Sequence, residues 1–159
     1  MRKIDRLLAE YGDSHQNATN EIIHWICVPA IFFSILGLIA CIPPGPLAEL
    51  EPWLGNLANW ALPAVIVVGI YYVILSPSLA LGLMFFSAGC LVLVGFISSH
   101  VSIPLWGICA GIFAVSWVFQ FFGHHVEGKK PSFLKDVQFL LIGPAWLMHF
   151  IYRKAGLPF

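Results

Sequence analysis

The chain has 159 residues, enough for one domain, and its composition excludes a water-soluble protein before any motif is considered. Hydrophobic residues make up 59% and charged residues 10%, against about 25% charged residues in a soluble domain, and the mean hydropathy is +0.86. The formal net charge of zero, without a basic stripe, argues against nucleic acid as a partner. We therefore expect an integral membrane protein with a single domain, residues 1–159.

The first fourteen residues predict a short N-terminal amphipathic helix. Ile4, Leu7, Leu8 and Tyr11 recur at the i, i+3, i+4, i+7 spacing of one helical face. We expect this helix to lie on the membrane surface or against the membrane-embedded helices. Residues 15–21 are rich in Asn, Thr and Gln, which favour a turn followed by a helix cap.

Four long apolar runs follow, each close to the ~20 residues that cross a hydrocarbon core as a helix. They cover about 22–42, 57–75, 79–97 and 101–122. Their apolar residues are continuous rather than alternating, which favours helices. A fifth stretch, 137–152, is shorter and contains Gly-Pro, so a tilted span, a re-entrant helix and an interfacial helix all stay open. The predicted fold is all-α, a polytopic helical membrane protein with four to five transmembrane helices.

The basic residues predict the orientation of the chain. They cluster at the N-terminus and after the fourth run, at Arg2, Lys3, Arg6, Lys129, Lys130, Lys135, Arg153 and Lys154. Because cytoplasmic segments carry the excess of Lys and Arg, four spans place both clusters in the cytoplasm. The membrane is expected to be a bacterial inner membrane or the endoplasmic reticulum.

Histidines near the start of the first run are candidate metal ligands, because imidazole is the commonest protein ligand for transition metals. Asn20 lies four residues before His24 and shares its helical face. His15 lies nine residues before His24, so on one continuous helix the two would point to opposite sides. They can converge only if the helix breaks near residues 17–19. The alternatives are a solvated loop residue for His15 and a polar interfacial residue for His24.

A second polar group ends the fourth run. His124, His125 and Glu127 place two imidazoles and a carboxylate within one helical turn, which suits metal binding or proton transfer. Favourable solvation of cationic histidine at a helix C-terminus is the alternative. In a four-span topology this group lies at the same membrane face as His15 and His24.

Two further histidines fit this arrangement less well. His100 follows the third run and, by the same count of spans, lies at the opposite face. His149 lies in the last apolar stretch and is interpreted as a packing contact between helices. Six histidines with a single His-His doublet are too few for a di-iron membrane oxygenase, so we expect at most one metal ion.

Four elements together resemble the Mpo1-like family of small membrane proteins. They are Tyr11 with the pattern H-x4-N-x3-H and Pro29; His100 after the third run; W-V-F-Q-F-F-G-H at 117–124; and Glu127 followed by K-K-P-S at 129–132. The resemblance covers nearly the whole chain. It implies an Fe(II)-dependent dioxygenase that acts on long-chain 2-hydroxy fatty acids, shortening them by one carbon with O₂ and releasing CO₂.

The resemblance also implies the ligands of the iron. It assigns Fe²⁺ to His15, His24 and His124, with His100 as a fourth candidate. Such a metal needs open positions, because a 2-hydroxy acid can chelate it through its carboxylate and hydroxyl.

Other polar residues at the same face are candidates for the reaction itself. We assign His125 and Glu127 as candidate catalytic residues. Asn20, Lys129 and Lys130 are candidate substrate-binding residues, the lysines because they can hold a carboxylate before it reaches the metal. The acyl tail is expected to lie between the helices.

Two other classes of function stay open on the sequence. The first is a non-enzymatic membrane adaptor, in which the histidines are interfacial packing. The second is a metal-handling transporter, which would need polar residues along the interiors of the spans. The second and third runs supply almost none.

Overall fold

The computed structural model describes residues 2–128 and 133–159, with side chains described to residue 128 and again from residue 140. Within these residues all regular elements are helical, which confirms the predicted all-α class. The α-helices in chain order are α1 Lys3–Gly12, α2 Ala18–Ala40, α3 Glu51–Leu54, α4 Ala61–Leu75, α5 Pro77–His100, α6 Leu105–Glu127 and α7 Phe133–Lys154. Two short 3-10 segments, Gly45–Leu50 and Gly55–Leu57, flank α3.

Local sequence explains where the long helices begin and end. The side chains of Asn17 and Ser76 accept hydrogen bonds from first-turn N–H groups of α2 and α5, which would otherwise have no acceptor. Pro77 occupies the first turn of α5, where its missing N–H costs nothing. Gly128 caps the end of α6, and its φ of +71° is the left-handed conformation that glycine adopts without strain.

Three of the described helices, α2, α5 and α6, are long and apolar enough to cross a membrane. A fourth crossing arises if α4 is counted with the segment Gly45–Leu57, from which it is bent by 78°. The sequence predicted four to five spans, and its second span, 57–75, begins too early. The chain turns at Asn59, whose side chain accepts a hydrogen bond from the Ala61 N–H at 2.9 Å. α4 therefore begins only at Ala61.

Two helices continue beyond the apolar runs that predicted them. α5 includes residues 98–100, which lie between the third and fourth apolar runs, and the Ser99 hydroxyl donates to the Gly95 carbonyl within the last turn of the helix. α6 begins after Pro104 rather than at residue 101, and it ends at Glu127 rather than at residue 122. Hydropathy follows the hydrocarbon core, whereas a helix can continue into the polar boundary until a cap ends it.

α2 and α6 form the most extensive helix pair among the described elements, and they run antiparallel. At one end a Cβ on Gly123 would collide with the carboxamide of Asn20, and at the other end a Cβ on Gly37 would collide with the thiol of Cys109. The two approaches are about 21 Å apart along α6. Small residues at both ends therefore let the two backbones pack closely over most of their length.

α4 and α5 also pack against α2 and complete the bundle. Their shared core contains Phe33 and Leu36 from α2, Val65 from α4, and Leu91 and Val94 from α5, all buried. Many other large apolar side chains are exposed, such as Phe85 at 80%, as expected for a surface that faces lipid.

α1 and α7 form a separate layer across one end of this bundle. The apolar face of α1 is buried, and it packs against α7 and the adjoining ends of α2 and α5; the shared cluster contains Ile4, Leu7, Leu8, Tyr11, Val28, Leu79, Ile142, Trp146 and Leu147. This packing accounts for the helical spacing of apolar residues in the first fourteen positions.

α7 crosses the end of the α4–α5 hairpin instead of running along it. The Tyr72 hydroxyl donates to the Leu141 carbonyl at 2.6 Å, and the Tyr152 hydroxyl donates to the Ser78 carbonyl at 2.8 Å. Residues 141–152 cover about 16 Å of helix. Their contacts with α5 at Ser78 and Gly82 nevertheless lie within its first two turns. Of the three alternatives for this stretch, the contacts favour a helix at the boundary of the bundle.

The two ends of the chain meet within this layer. An Arg2 guanidinium nitrogen donates to the backbone carbonyl of Phe159, and the guanidinium carbon lies 5.8 Å from the centre of the Phe159 ring. Arg2 also pairs with Asp5 at 2.8 Å, and this hydrogen bond holds the pKa of Asp5 below its usual value. Arg2 therefore links the start of α1 to the end of the chain.

Replacing Gly123 by alanine tests the close α2–α6 contact. The added Cβ would displace the buried Asn20 side chain, and we expect a loss of about 1–3 kcal/mol of stability, the usual cost of overpacking. The measurement is thermal unfolding of the detergent-solubilised protein. Gly111→Ala on the same helix is the control, because a Cβ there meets nothing within 4 Å. Equal effects of the two substitutions would contradict the close contact.

Candidate metal centre

Three histidine side chains converge at the end of the α2–α6 pair. His15, His24 and His124 each offer a ring nitrogen, and these nitrogens lie within 4.8 Å of one another. The ring centroids are 4.1 Å apart for His15 and His24, 5.2 Å for His24 and His124, and 5.6 Å for His15 and His124. The first two rings are buried and the third is partly buried. The group is compact enough to hold one metal ion.

The connection between α1 and α2 brings His15 to His24. Convergence of the two requires a break near residues 17–19, and the two helices are separated by residues 13–17. Asn17 caps the new helix, so His24 lies in its second turn while His15 lies outside it. The polar residues that predicted a turn here are therefore those that allow the two rings to meet.

Backbone carbonyls orient two of the three rings. His24 Nδ1–H donates to the Asn20 carbonyl at 2.9 Å, and His15 Nδ1–H donates to the Tyr11 carbonyl. Donation from Nδ1 selects the tautomer with a lone pair on Nε2, the atom that then binds a metal. Tyr11 also stacks on His15, with centroids 4.1 Å apart and an interplanar angle of 8°. Both rings are thus held by their own helical segments.

Glu127 joins the end of α6 to the start of α2. Its carboxylate accepts hydrogen bonds from the N–H groups of Gln16 and Asn17, both at 2.9 Å, and from the Asn20 side chain at 3.1 Å. Asn20 is fully buried and also donates to the Ser14 carbonyl at 3.2 Å. The negative charge lies at the positive end of the α2 dipole. Glu127 and Asn20 therefore position the segments that carry the histidines.

Gln120 is a polar residue next to the site that received no role in the sequence analysis. It lies one helical turn before His124, on the same face of α6, and it is only 5% exposed. Its Oε1 atom is buried without a hydrogen-bond partner. Buried polar atoms are nearly always satisfied, so this Oε1, on a residue one helical turn from His124, is a candidate acceptor for a polar group of a ligand. The spacing Q-x3-H was the signal available in the sequence.

Trp146 of α7 is the second residue that the sequence analysis missed. Its ring centroid is 5.4 Å from that of His15 and 5.3 Å from that of Tyr11, and it is 4% exposed. A tryptophan in an apolar stretch is ordinarily core or interfacial belt, so no local pattern singled it out. The structure shows that it forms an aromatic wall of the histidine site.

The structure does not bring His100 to this site. Its Nδ1 donates to the Phe96 carbonyl at 3.0 Å, its ring stacks on Phe96 at 4.5 Å, and it is exposed. Leu79, near the start of α5, packs with Tyr11 at the histidine end of the bundle. His100 lies 21 residues further along that helix, about 30 Å away. The ligand role that the resemblance gave it finds no support in this placement.

The other histidines singled out in the sequence do not join the three-histidine group, and the two predicted lysines lie outside the described residues. His125 follows His124 but is exposed and does not join the three-histidine group. His149 packs against Phe150 and Phe159, with centroids 5.2 and 4.8 Å away, in keeping with its interpretation as a packing residue. Lys129 and Lys130 lie outside the described residues, and their predicted role in binding a carboxylate stays a prediction.

The chemistry of the donor set fits a transition metal. Three imidazole nitrogens suit iron, zinc or copper better than the oxygen-preferring ions, and three protein ligands leave positions for exogenous molecules. Two of the three rings, His15 and His24, donate Nδ1–H to backbone carbonyls, as metal-binding histidines commonly do with their other ring nitrogen. These residues can therefore hold a catalytic rather than a closed structural metal.

Comparison with known proteins agrees with this geometry. The sequence profile described as "2-hydroxy-palmitic acid dioxygenase Mpo1-like" matches residues 1–155. A relative in Saccharomyces cerevisiae, 2-hydroxy-palmitic acid dioxygenase MPO1, is 29% identical over 157 residues, which cover 95% of this chain and 81% of the yeast protein. No solved structure matches the chain. The match over nearly its whole length confirms the resemblance seen in the motifs: the chain belongs to the Mpo1-like family.

Proposed function

We propose that this protein is an Fe(II)-dependent dioxygenase of long-chain 2-hydroxy fatty acids. In the proposed reaction the bond between C1 and C2 breaks, and one 2-hydroxy acid and one O₂ yield the acid one carbon shorter, CO₂ and one water. The convergence of His15, His24 and His124 at one end of apolar helices is the observation that carries the proposal. The name of the yeast relative supports the class of substrate.

The three histidines would hold the iron, and their donor set supports this assignment. Bound iron would supply activation of O₂ beside the substrate, as in other non-haem Fe(II) oxygenases. The residues around it have separate tasks. The carbonyls of Tyr11 and Asn20 keep two rings in the tautomer that binds a metal.

Polar residues around the imidazoles would receive the head group of the acid. Gln120 offers a buried carboxamide one turn from His124, and the aromatic ring of Trp146 closes the site on the side of α7. We propose that Lys129 and Lys130 attract the carboxylate from the polar boundary. His125 is exposed at this end and is the candidate for exchanging protons with water. Glu127 is better described as a positioning residue, because three N–H groups already occupy its carboxylate.

The assignment of the ligands can be tested by metal analysis. Protein purified without oxygen and loaded with ferrous iron is expected to retain stoichiometric iron, measured by elemental mass spectrometry after gel filtration. His24→Ala and His124→Ala are each expected to lose it, because each removes one of three donors. His100→Ala and His125→Ala are the controls and should retain it. Retention of iron after loss of both His24 and His124 would place the metal elsewhere.

Substitution of Glu127 by glutamine tests its positioning role. The change removes the charge that binds the start of α2, and loosening of Asn20 and His24 should weaken iron binding about 10- to 100-fold, as for other outer-shell partners of metal ligands. The readout is the Kd for Fe²⁺ by competition with a chelator. The matched control is Glu21→Gln, which removes a different carboxylate, one that lies in the first turn of α2 itself. A similar change in both variants would indicate a general effect of charge.

The reaction itself is tested with a 2-hydroxy fatty acid and O₂. We expect the iron-loaded protein to form the acid one carbon shorter, detected by mass spectrometry, with one O₂ consumed per acid. Gln120→Leu is expected to raise KM for the acid while leaving the iron content unchanged. Iron-loaded protein that forms no shortened acid from any chain length would refute the proposed function.

A further inference from the structure

An apolar cavity of about 210 Å³ lies beneath α7, between α2 and α5. Nine residues line it and none is charged, among them Trp25, Val28, Leu83, Phe86 and Ile151. The rim residues Trp25 and Ile151 are 37% and 47% exposed, so the cavity opens on the outer surface of the bundle, where lipid lies. A polar ligand would find no partner among such side chains, whereas an alkyl chain can fill the space.

The cavity adjoins the histidine site. Val28, in its wall, lies four residues after His24 and therefore shares its face, about 6 Å along α2. Leu147 of the lining follows Trp146, whose ring centroid is 5.4 Å from that of His15. The cavity and the imidazoles are thus separated by about one helical turn, an interval lined by Tyr11, Val28 and Trp146.

The side chains change from polar at the histidine site to apolar in the cavity. The histidines, Asn20 and Glu127 lie at the capped ends of α2 and α6, whereas Leu83 and Phe86 lie further from that end along α5. A ligand that spans both regions needs a polar head and a single apolar tail. A membrane phospholipid has a head far larger than a carboxylate and carries two tails, so it fits this arrangement less well than a fatty acid does.

We propose that this cavity is the binding site for the alkyl chain of the acid substrate, with the head group at the three histidines. The inference rests on the proposed function for the identity of the head group. The cavity is smaller than the 300–1,000 Å³ of pockets that enclose whole ligands. It therefore receives the part of the chain nearest the head, and the rest leaves past Trp25 and Ile151 into the bilayer.

Photolabelling locates the tail without requiring turnover. The full chain, in lipid nanodiscs and without O₂, is irradiated with a 2-hydroxy fatty acid that carries a diazirine a few carbons from its head. Adducts mapped by mass spectrometry are expected on Leu83, Phe86 and Ile151, and an excess of unlabelled 2-hydroxy acid should suppress them. Labelling of Phe85, which is 80% exposed, at the level of Phe86 would overturn the proposal. So would equal labelling of Phe86 by a phosphatidylcholine diazirine that the acid does not displace.

A substitution at the rim provides a second measurement. Ile151→Trp fills the cavity from its exposed side. We expect labelling of Phe86 to fall roughly tenfold, because the usual cost of overpacking corresponds to about that factor in binding. Phe85→Trp adds a similar ring on the lipid-facing side of α5 and should leave labelling unchanged. Unchanged labelling in both variants would also overturn the proposal.

The results separate this inference from the proposed function. Adducts in the cavity without formation of a shortened acid would support the chain site and refute the reaction. Formation of the shortened acid with adducts outside the cavity would support the reaction and refute the chain site.

Discussion

The contact between the first turn of α2 and the last turn of α6 is the interaction on which the rest of the site depends. Glu127 accepts two backbone N–H groups that precede α2 and the side-chain N–H of Asn20, while Gly123 leaves room for the Asn20 carboxamide. The same turn of α6 carries His124, and the same turn of α2 leads to His24. A packing contact between two helices therefore sets the distance between His24 and His124, which are 100 residues apart in the sequence.

The membrane environment explains why this junction is built from so few polar groups. Backbone groups in a hydrocarbon core must be satisfied internally, and side-chain charges there are costly. The chain places its imidazoles and the Glu127 carboxylate where the apolar runs end, and α1 and α7 cover that end with apolar faces. Covering the site on this side limits access from water. In the proposed arrangement a lipophilic acid would instead approach from the bilayer through the open rim of the cavity.

Sequence reasoning predicted those features that depend on local pattern. Apolar runs identified α2, α5 and α6, and the polar residues at 15–21 indicated the break that brings His15 to His24. The limits of helices were less accurate, because the turn at Asn59 and the cap at Gly128 act independently of hydropathy. Trp146 could not be predicted as part of the site, since its position depends on how α7 crosses the bundle.

The contact between Arg2 and Phe159 has a consequence for the topology of the whole chain. Two residues that touch must be on the same side of a bilayer, so the polypeptide between them crosses it an even number of times. Counting α2, the bent segment with α4, α5 and α6 gives four crossings and meets this condition. Three crossings, or five with α7 as a complete span, would not. Among the three to four crossings that length and hydropathy allow in the described residues, the hydrogen bond between Arg2 and Phe159 therefore favours four.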